Sequence, residues 1–578
     1  MNPPTGWLIL GMERVAWRPW VLAVLSGALL ASAFPPLDWW PAAFVGLLPL
    51  LLAAAGEPPA RAAWLGFASG MAFALLSIPW VVVTMVRYGQ MPWWGAVAVL
   101  LALSAYLACY PAAFTFALSR FPLPPAALPV GAATLWTGLE YLRTYALSGF
   151  PWNLLGYSQL PNLPFAQVAA VTGVYGVSFL LALANAALAV PFQPGVGRRR
   201  AWGIVGTAAL LVAAGHGAGL WALRGSDGAS PPLRVGIVQG SIEQALKWTP
   251  AALDGTLDTY ARLSAQAARA GAELVIWPET AAPVLLRHDP PRLARVRALA
   301  ESLGRPLLVG APDRTAGEPV RLQNSAILLG SDGRLLAKYD KMHLVPFGEY
   351  VPLKSALFFV DKLATGIGDF VPGEARTLFR VPGGTFAASI CFEVIFPAEV
   401  RAAVAGGAEF LVNITNDAWF GRSAAPAQHL RMAAFRALET RRYLARAANT
   451  GISAVVDPYG RVLASTPLFE EAVLVRGVTP RRDLTPYVRF GDWFAAAASL
   501  AAGGWVASAW AAERRAARGG VWHGGTGDPA EGRGPAGEAQ RSAGLPLTWR
   551  GSRRGAAPSR SRARHPTSGR TPRLPSVS

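Results

Sequence analysis

Eight apolar runs constrain this chain more than anything else in it. Residues 20–34, 40–55, 62–85, 93–118, 125–142, 166–191, 201–222 and 492–511 carry almost no charge. Crossing the hydrocarbon core of a bilayer takes about 20 mostly apolar residues. A soluble fold has little use for so many uncharged segments of that length. The first two runs are short, and Pro35, Pro36 and Asp38 between them suggest a tight pair of helices. Trp39, Trp40, Trp93 and Trp94 stand at segment ends, where amphipathic rings settle at the membrane interface. The pattern predicts a multi-pass α-helical membrane domain over residues 1–222 with seven transmembrane helices, and a last transmembrane helix at 492–511.

Charge placement orients the chain. Only 15% of the residues are charged, against about a quarter in ordinary soluble domains. The net charge of +19 invites a nucleic-acid reading. Its excess, however, lies largely after Ala511 and in short loops beside apolar runs. With the N-terminus in the cytoplasm, Arg14, Arg18, Arg61, Arg120, Arg198–Arg200, Arg514, Arg515 and Arg518 all fall inside, and the short outward loops keep only Arg87 and Arg143. Nucleic acid is therefore not expected as a partner. Seven crossings leave residues 223–491 outside the cytoplasm.

That outer region reads as a soluble α/β domain. Strand-like runs occur at 233–238, 273–277, 306–310, 324–329, 386–391 and 409–414, with helical patterns at 251–270 and 427–448 between some of them. From residue 512 to 578 the chain is basic and becomes rich in Gly, Pro and Ser, a composition that predicts a disordered cytoplasmic tail. The two cysteines, Cys109 and Cys391, are too far apart to suggest a disulfide framework or a thiolate zinc site.

Three segments in the outer region carry chemistry, each at the end of an expected strand: Trp277-Pro278-Glu279, the stretch from Asp340-Lys341 to Glu349, and Ser389-Ile390-Cys391-Phe392-Glu393. Strand ends are where α/β enzymes gather groups from distant parts of the chain. Of 53 basic residues only five are lysine: Lys247, Lys338, Lys341, Lys354 and Lys362. A retained lysine can mark a place where a compact ammonium must meet one small oxyanion. Taken singly, each residue has an ordinary alternative: a surface lysine, a glutamate paired with arginine, a buried cysteine acting as a small hydrophobe. Together they offer a nucleophile, a base and a cation.

The chain resembles the apolipoprotein N-acyltransferases, membrane members of the nitrilase superfamily. The resemblance rests on VGIVQGSIEQALKW (235–248), LVIWPET (274–280), YDKMHLVPFGEYVP (339–352), ASICFE (388–393), ITNDAWFG (414–421) and NTGISA (449–454). It implies an α/β nitrilase-like αββα sandwich outside the cytoplasm. Glu279 would then be general base, Lys341 transition-state stabiliser and Cys391 acylated nucleophile, with Glu349 near the lysine. Trp248, Glu393 and Trp419 fall on motif positions associated with activity. Phe392 is a departure, since well-known members carry Tyr there.

The implied reaction is ping-pong. A phospholipid donates an acyl chain to Cys391, and the N-terminal amine of a diacylglyceryl-cysteine in an apolipoprotein accepts it. The resemblance places a monomeric enzyme in the inner membrane with its catalytic domain periplasmic, and the residues require neither metal nor other cofactor. A membrane-tethered amidase would use the same three groups, although one span would suffice to tether it. A transporter or ligand-binding receptor fits less well, because few ionisable residues lie inside the spans. Residues 353–363 form an apolar run containing Leu357, Phe358, Phe359 and Val360. It reads either as core or as an arm resting on the bilayer, with Gly366 and Gly368 as hinges.

Overall fold

The computed structural model describes residues 16–224, 232–317, 319–350 and 370–519. The expected apolar arm at 353–363 and its glycines lie outside these residues, as does the tail from 520.

Twelve strands build the outer domain. They are β1 (Leu233–Gln239), β2 (Leu274–Ile276), β3 (Leu307–Arg314), β4 (Leu322–Leu329), β5 (Leu335–Asp340), β6 (Leu378–Val381), β7 (Gly384–Ile390), β8 (Phe410–Thr415), β9 (Leu444–Ala448), β10 (Ala454–Val456), β11 (Val462–Ser465) and β12 (Ala472–Val478). They form two six-stranded sheets, ordered β12-β1-β2-β3-β4-β5 and β11-β10-β9-β8-β7-β6. The centre of each is parallel, β1-β2-β3 in one and β7-β8-β9 in the other, and the remaining pairs are antiparallel. Parallel strands are normally covered on both faces, and every residue of β2, β8 and β9 is buried.

Strand periodicity decides what meets what. Leu274 and Ile276 point inward, with Val235, Ile237 and Leu308, against Phe386, Ile390, Phe410, Val412 and Ile414 of the other sheet. Val275 between them points outward, with Leu307 and Val309, to the layer that holds helices Pro250–Arg269 and Pro290–Leu303. Across the second sheet, Leu411, Leu444 and Val456 face helices Pro397–Ala405 and Ala425–Thr440. The result is four layers, helix–sheet–sheet–helix. Each fully buried Leu, Ile, Val or Phe in such layers contributes about 1.5–3 kcal/mol.

The last helical layer is continuous with the apolar helices of the N-terminal region in one core. Gln428, fully buried on helix Ala425–Thr440, joins the two parts. Its Oε1 accepts from Trp80 Nε1 (3.1 Å) and Trp152 Nε1 (2.7 Å), and its Nε2 donates to the carbonyls of Pro35 (3.0 Å) and Ser77 (2.9 Å). Among the described residues, five helices are long and apolar enough to cross a membrane: Pro59–Ser77, Trp93–Arg120, Val174–Phe192, Arg198–Ala222 and Trp493–Arg515. Leu210, Trp221 and Leu500 point out of the fold and are more than two-thirds exposed. Such faces are costly in water and natural in lipid.

Several expected boundaries move. The run 62–85 is not one helix, because Pro59–Ser77 stops before Pro79, which lacks an amide donor, and Trp80–Arg87 starts afresh. The run 40–55 divides into a 3-10 turn, Trp40–Phe44, and helix Leu48–Ala54. The run 166–191 breaks at Gly173, whose φ of 68° and close approach to the Tyr487 ring exclude a side chain. Its helices are Leu163–Ala166, Ala169–Thr172 and Val174–Ala189. The helix expected over 427–448 ends at Thr440, where Arg441 turns left-handed (φ 52°), and Leu444–Ala448 is the strand β9. The final helix continues past Ala511 to Gly519.

Candidate active site

The three signature segments lie where strands stop. Glu279 follows β2 by three residues on a tight turn, with Thr280 at φ 52°. A Cβ on Gly310 of β3 would stand 2.2 Å from the Pro278 carbonyl oxygen, so a glycine is needed for the turn to pass. Lys341 follows β5 directly. Its N–H donates to the Asn324 carbonyl (2.8 Å) and its carbonyl accepts from Gly373 N–H (2.8 Å), pinning the backbone from both sides. Cys391 follows β7 directly and opens the 3-10 turn Cys391–Ile395 with φ 53°. A left-handed cysteine at a strand-to-helix corner is strained, and strain of this kind collects at functional sites.

The side chains converge. The Lys341 ammonium, 1% exposed, lies 2.8 Å from Glu349 Oε2 and 3.8 Å from Glu279 Oε1. Asn324 Nδ2 donates to both acids, at 2.7 Å to Glu279 Oε1 and 3.0 Å to Glu349 Oε1. Glu279 Oε2 accepts from the Asn416 N–H (2.8 Å), and Glu349 Oε2 from the Val345 N–H (2.8 Å). The Cys391 thiol is within electrostatic reach of Glu279, Lys341 and Asp417 and within hydrogen-bond reach of the Thr415 hydroxyl. Burial pushes the thiol up from its ordinary value, Glu279 adds to this, and Lys341 opposes it. Burial would push Lys341 down, but Glu349 and Glu279 outweigh it and hold the ammonium above its usual range. At rest the site therefore pairs a neutral thiol with a permanent cation.

Glu393 braces two of the segments. Its Oε1 accepts from Met342 N–H (2.7 Å), His343 N–H (3.1 Å) and the Tyr339 hydroxyl (2.7 Å), and its Oε2 from Ile390 N–H (2.6 Å). One carboxylate thus ties the lysine loop to the cysteine corner. Burial lifts it to about 7 against these hydrogen bonds.

The other expected residues divide. Phe392 packs edge-on against Phe396 and His343, so its ring serves in the core without a hydroxyl. Trp419 lies on the turn after Asn416, edge-on to Tyr88, and its carbonyl accepts from Thr84 Oγ1 (2.9 Å). Trp248 is about one-third exposed, next to the short helix Gln244–Lys247. His343 pairs with Glu399 (2.7 Å) and stacks on Phe396.

Sequence reasoning missed the residues that hold these groups in place. Asn324 gave no signal, and Asn416 none beyond its place in the ITNDAWFG stretch, since amides are common at strand ends. Beneath the nucleophile, His429 Nε2 lies 3.3 Å from the Cys391 carbonyl oxygen, and its Nδ1 lies 3.0 Å from both Arg446 Nη2 and Asp417 Oδ1. Arg446 also donates to Asp417 Oδ2 (2.7 Å). Burial and then Arg446 hold this imidazole below its usual range.

Two facing sheets with glutamate, lysine and cysteine at their strand ends define a carbon-nitrogen hydrolase domain, and the family model of that description, Carbon-nitrogen hydrolase, matches residues 234–484. A second model, Apolipoprotein N-acyltransferase N-terminal domain, matches residues 26–187. Curated proteins called apolipoprotein N-acyltransferase align along most of the chain. The one from Geobacter metallireducens is 42% identical over 488 residues, 84% of this chain and 94% of that protein. The one from Azotobacter vinelandii is 38% identical over 517 residues, 87% of this chain and 98% of that protein. The one from Pasteurella multocida is 35% identical, over 82% of this chain and 91% of that protein. The chain belongs to the apolipoprotein N-acyltransferase family.

Proposed function

We propose that this protein transfers a fatty acyl chain from a membrane phospholipid to the N-terminal amine of diacylglyceryl-cysteine in apolipoproteins, through a thioester on Cys391. The observation that carries the reading is the cluster of buried Glu279 and Lys341 with half-buried Cys391, in a chain of this family whose other part is a set of apolar helices. A neutral thiol is a poor nucleophile, so its proton must leave as the new bond forms. Glu279 takes that proton while Sγ attacks the ester carbonyl carbon. The oxyanion that develops meets the Lys341 ammonium, held by Glu349 and kept charged throughout. Collapse breaks the ester C–O bond, and the leaving lysophospholipid oxygen takes the proton back from Glu279. In the second half the α-amine attacks the thioester carbonyl and passes a proton to Glu279. The thiolate leaves and is reprotonated, which restores the starting state.

Residues 223–491 form the catalytic domain on the periplasmic side of the inner membrane, and the apolar helices embed the chain. That arrangement sets the strand-end site beside the lipids that supply both substrates. Glu393, with Trp248 and Trp419, shapes the site around the three reacting groups. The test is intact-mass analysis of the purified protein mixed with phospholipid, followed by addition of a diacylglyceryl-cysteine peptide. An acyl adduct on Cys391 that disappears as the peptide gains the same mass supports the reading. An adduct that disappears only to free fatty acid would make the protein a hydrolase instead.

A further inference from the structure

Lys247 is a buried cation near the nucleophile that this mechanism does not use. It ends the short helix Gln244–Lys247 and is 1% exposed. Among the described residues its ammonium has a single hydrogen-bond acceptor, the backbone carbonyl oxygen of Glu279, at 3.1 Å. Its charge is felt by the Glu279 carboxylate and by the Cys391 thiol. The position of that acceptor matters. The Glu279 carbonyl belongs to the peptide linking the base to Thr280, and Thr280 has φ 52°. A β-branched residue with positive φ is a genuine outlier, held only where its surroundings over-determine it.

The surroundings of this turn supply that over-determination. Gly310 makes room behind the turn, Asn324 and Asn416 fix the carboxylate, and Lys247 holds the carbonyl. The helix that carries Lys247 is docked independently on the same centre. Gln244 Oε1 accepts from Asn416 Nδ2 (2.7 Å), while Asn416 N–H donates to Glu279. Asn449 closes the arrangement, accepting from the Ile242 N–H (3.0 Å) and donating to Asn416 Oδ1 (3.1 Å). The loop before Trp248 is thus a clamp on the base, with Lys247 as its charged contact.

We propose that Lys247 is a positioning residue for the general base: its ammonium holds the strained Glu279–Thr280 peptide and keeps the Glu279 carboxylate aimed at the Cys391 thiol. The two lysines then divide the work. Lys341 is bound by Glu349 and Glu279 and stays charged. Among the described residues Lys247 pairs with no carboxylate of its own, and burial, opposed by Glu279 and Cys391, lowers it to about 8. The titratable groups facing it are Glu279 on the turn after β2, Cys391 on the corner after β7 and, across Glu279, Lys341. The sign follows from its being a base: the ammonium is present below about pH 8 and is lost as pH rises through that value.

The inference rests on the reading of Cys391 as acylated nucleophile. It is tested on the full chain, by following the rate of Cys391 acylation from phospholipid by intact mass between pH 6 and 10, in wild type, Lys247→Arg and Lys247→Met, with thermal unfolding of each recorded. The wild-type rate should fall above about pH 8, and in Lys247→Arg the fall should move to higher pH, since guanidinium stays charged. Lys247→Met should lose about 10- to 100-fold below pH 8, the order expected for a hydrogen bond to a charged donor. If the Arg and wild-type pH profiles superimpose, or the Met variant acylates Cys391 at the wild-type rate, the assignment is wrong. A loss in Lys247→Met matched by unfolding, with an unshifted profile in Lys247→Arg, assigns Lys247 to the core and overturns the proposal equally. Absence of any adduct in wild type would instead strike at the reading of Cys391.

Discussion

Replacing Lys341 by arginine separates a lysine that meets an oxyanion from one that only balances charge. Its ammonium is 1% exposed and fits between Glu349 Oε2 at 2.8 Å and Glu279 Oε1 at 3.8 Å. If charge balance were its whole role, arginine would satisfy the same two acids and leave activity near that of the wild type. If the ammonium must also meet a developing oxyanion, the broad planar guanidinium cannot occupy the same point. Loss of an oxyanion donor is worth about 2.7–4 kcal/mol, or roughly 100- to 1,000-fold in rate. Fitting the larger group into a closed site costs about 1–3 kcal/mol of stability. Lys341→Met should be worse on the second count, since a buried pair that loses one partner is destabilised by about 3–5 kcal/mol. Glu349→Gln should cost less than either, because an amide oxygen still accepts from the ammonium. The assay is the rate of acyl-adduct formation on Cys391 under single-turnover conditions, with unfolding measured in parallel. An arginine variant within tenfold of wild type would refute the oxyanion role.

Four further outcomes are expected. Cys391→Ser should abolish acyl transfer without loss of folding, whereas Cys109→Ala, on the apolar helix Trp93–Arg120, should leave transfer intact; near-normal turnover by the serine variant removes Cys391 from its role. Alkylation of Cys391 by iodoacetamide without lipid should still be rising at pH 9, because burial raises the thiol, and a plateau below about 8.5, the ordinary thiol value, would contradict this. Glu393→Gln sets an amide N–H₂ or carbonyl against four donors and should lower acylation about 10-fold or more, since one charge-assisted bond is worth about 1.5–3 kcal/mol; unchanged kinetics would show that the lysine loop and the cysteine corner hold without it. His429→Leu should slow acylation by freeing the Cys391 carbonyl, and His429→Gln should recover part of the loss if donation from the ring edge is what matters.

The sequence was most legible where one residue type carries its own physics over a long stretch. Apolar length predicts membrane-compatible helices. All six strands expected between 233 and 414 are present, since the β-rich runs are bounded by clear breaks. Motif order placed Glu279, Lys341 and Cys391 at strand ends, and that is where they lie. Breaks inside the apolar runs at Pro79 and Gly173 were less visible, because hydropathy averages over a single residue that ends a helix. Strand β9 was hidden because LARAA has helical composition, and its pairing between β8 and β10 outweighs local preference. The supporting roles were not legible: Lys247 stood out only as a rare lysine and Asn416 only as part of a motif stretch, while Asn324 and His429 are ordinary residues in sequence, all of them far along the chain from most of the groups they serve. Their roles come from contacts such as Gln244 with Asn416, 172 positions apart. Periodicity and motif report what a residue is and which face it takes. Only the closing of two sheets on each other decides which backbone amide, carbonyl or ammonium stands beside a catalytic atom, because those contacts join segments that share no local pattern.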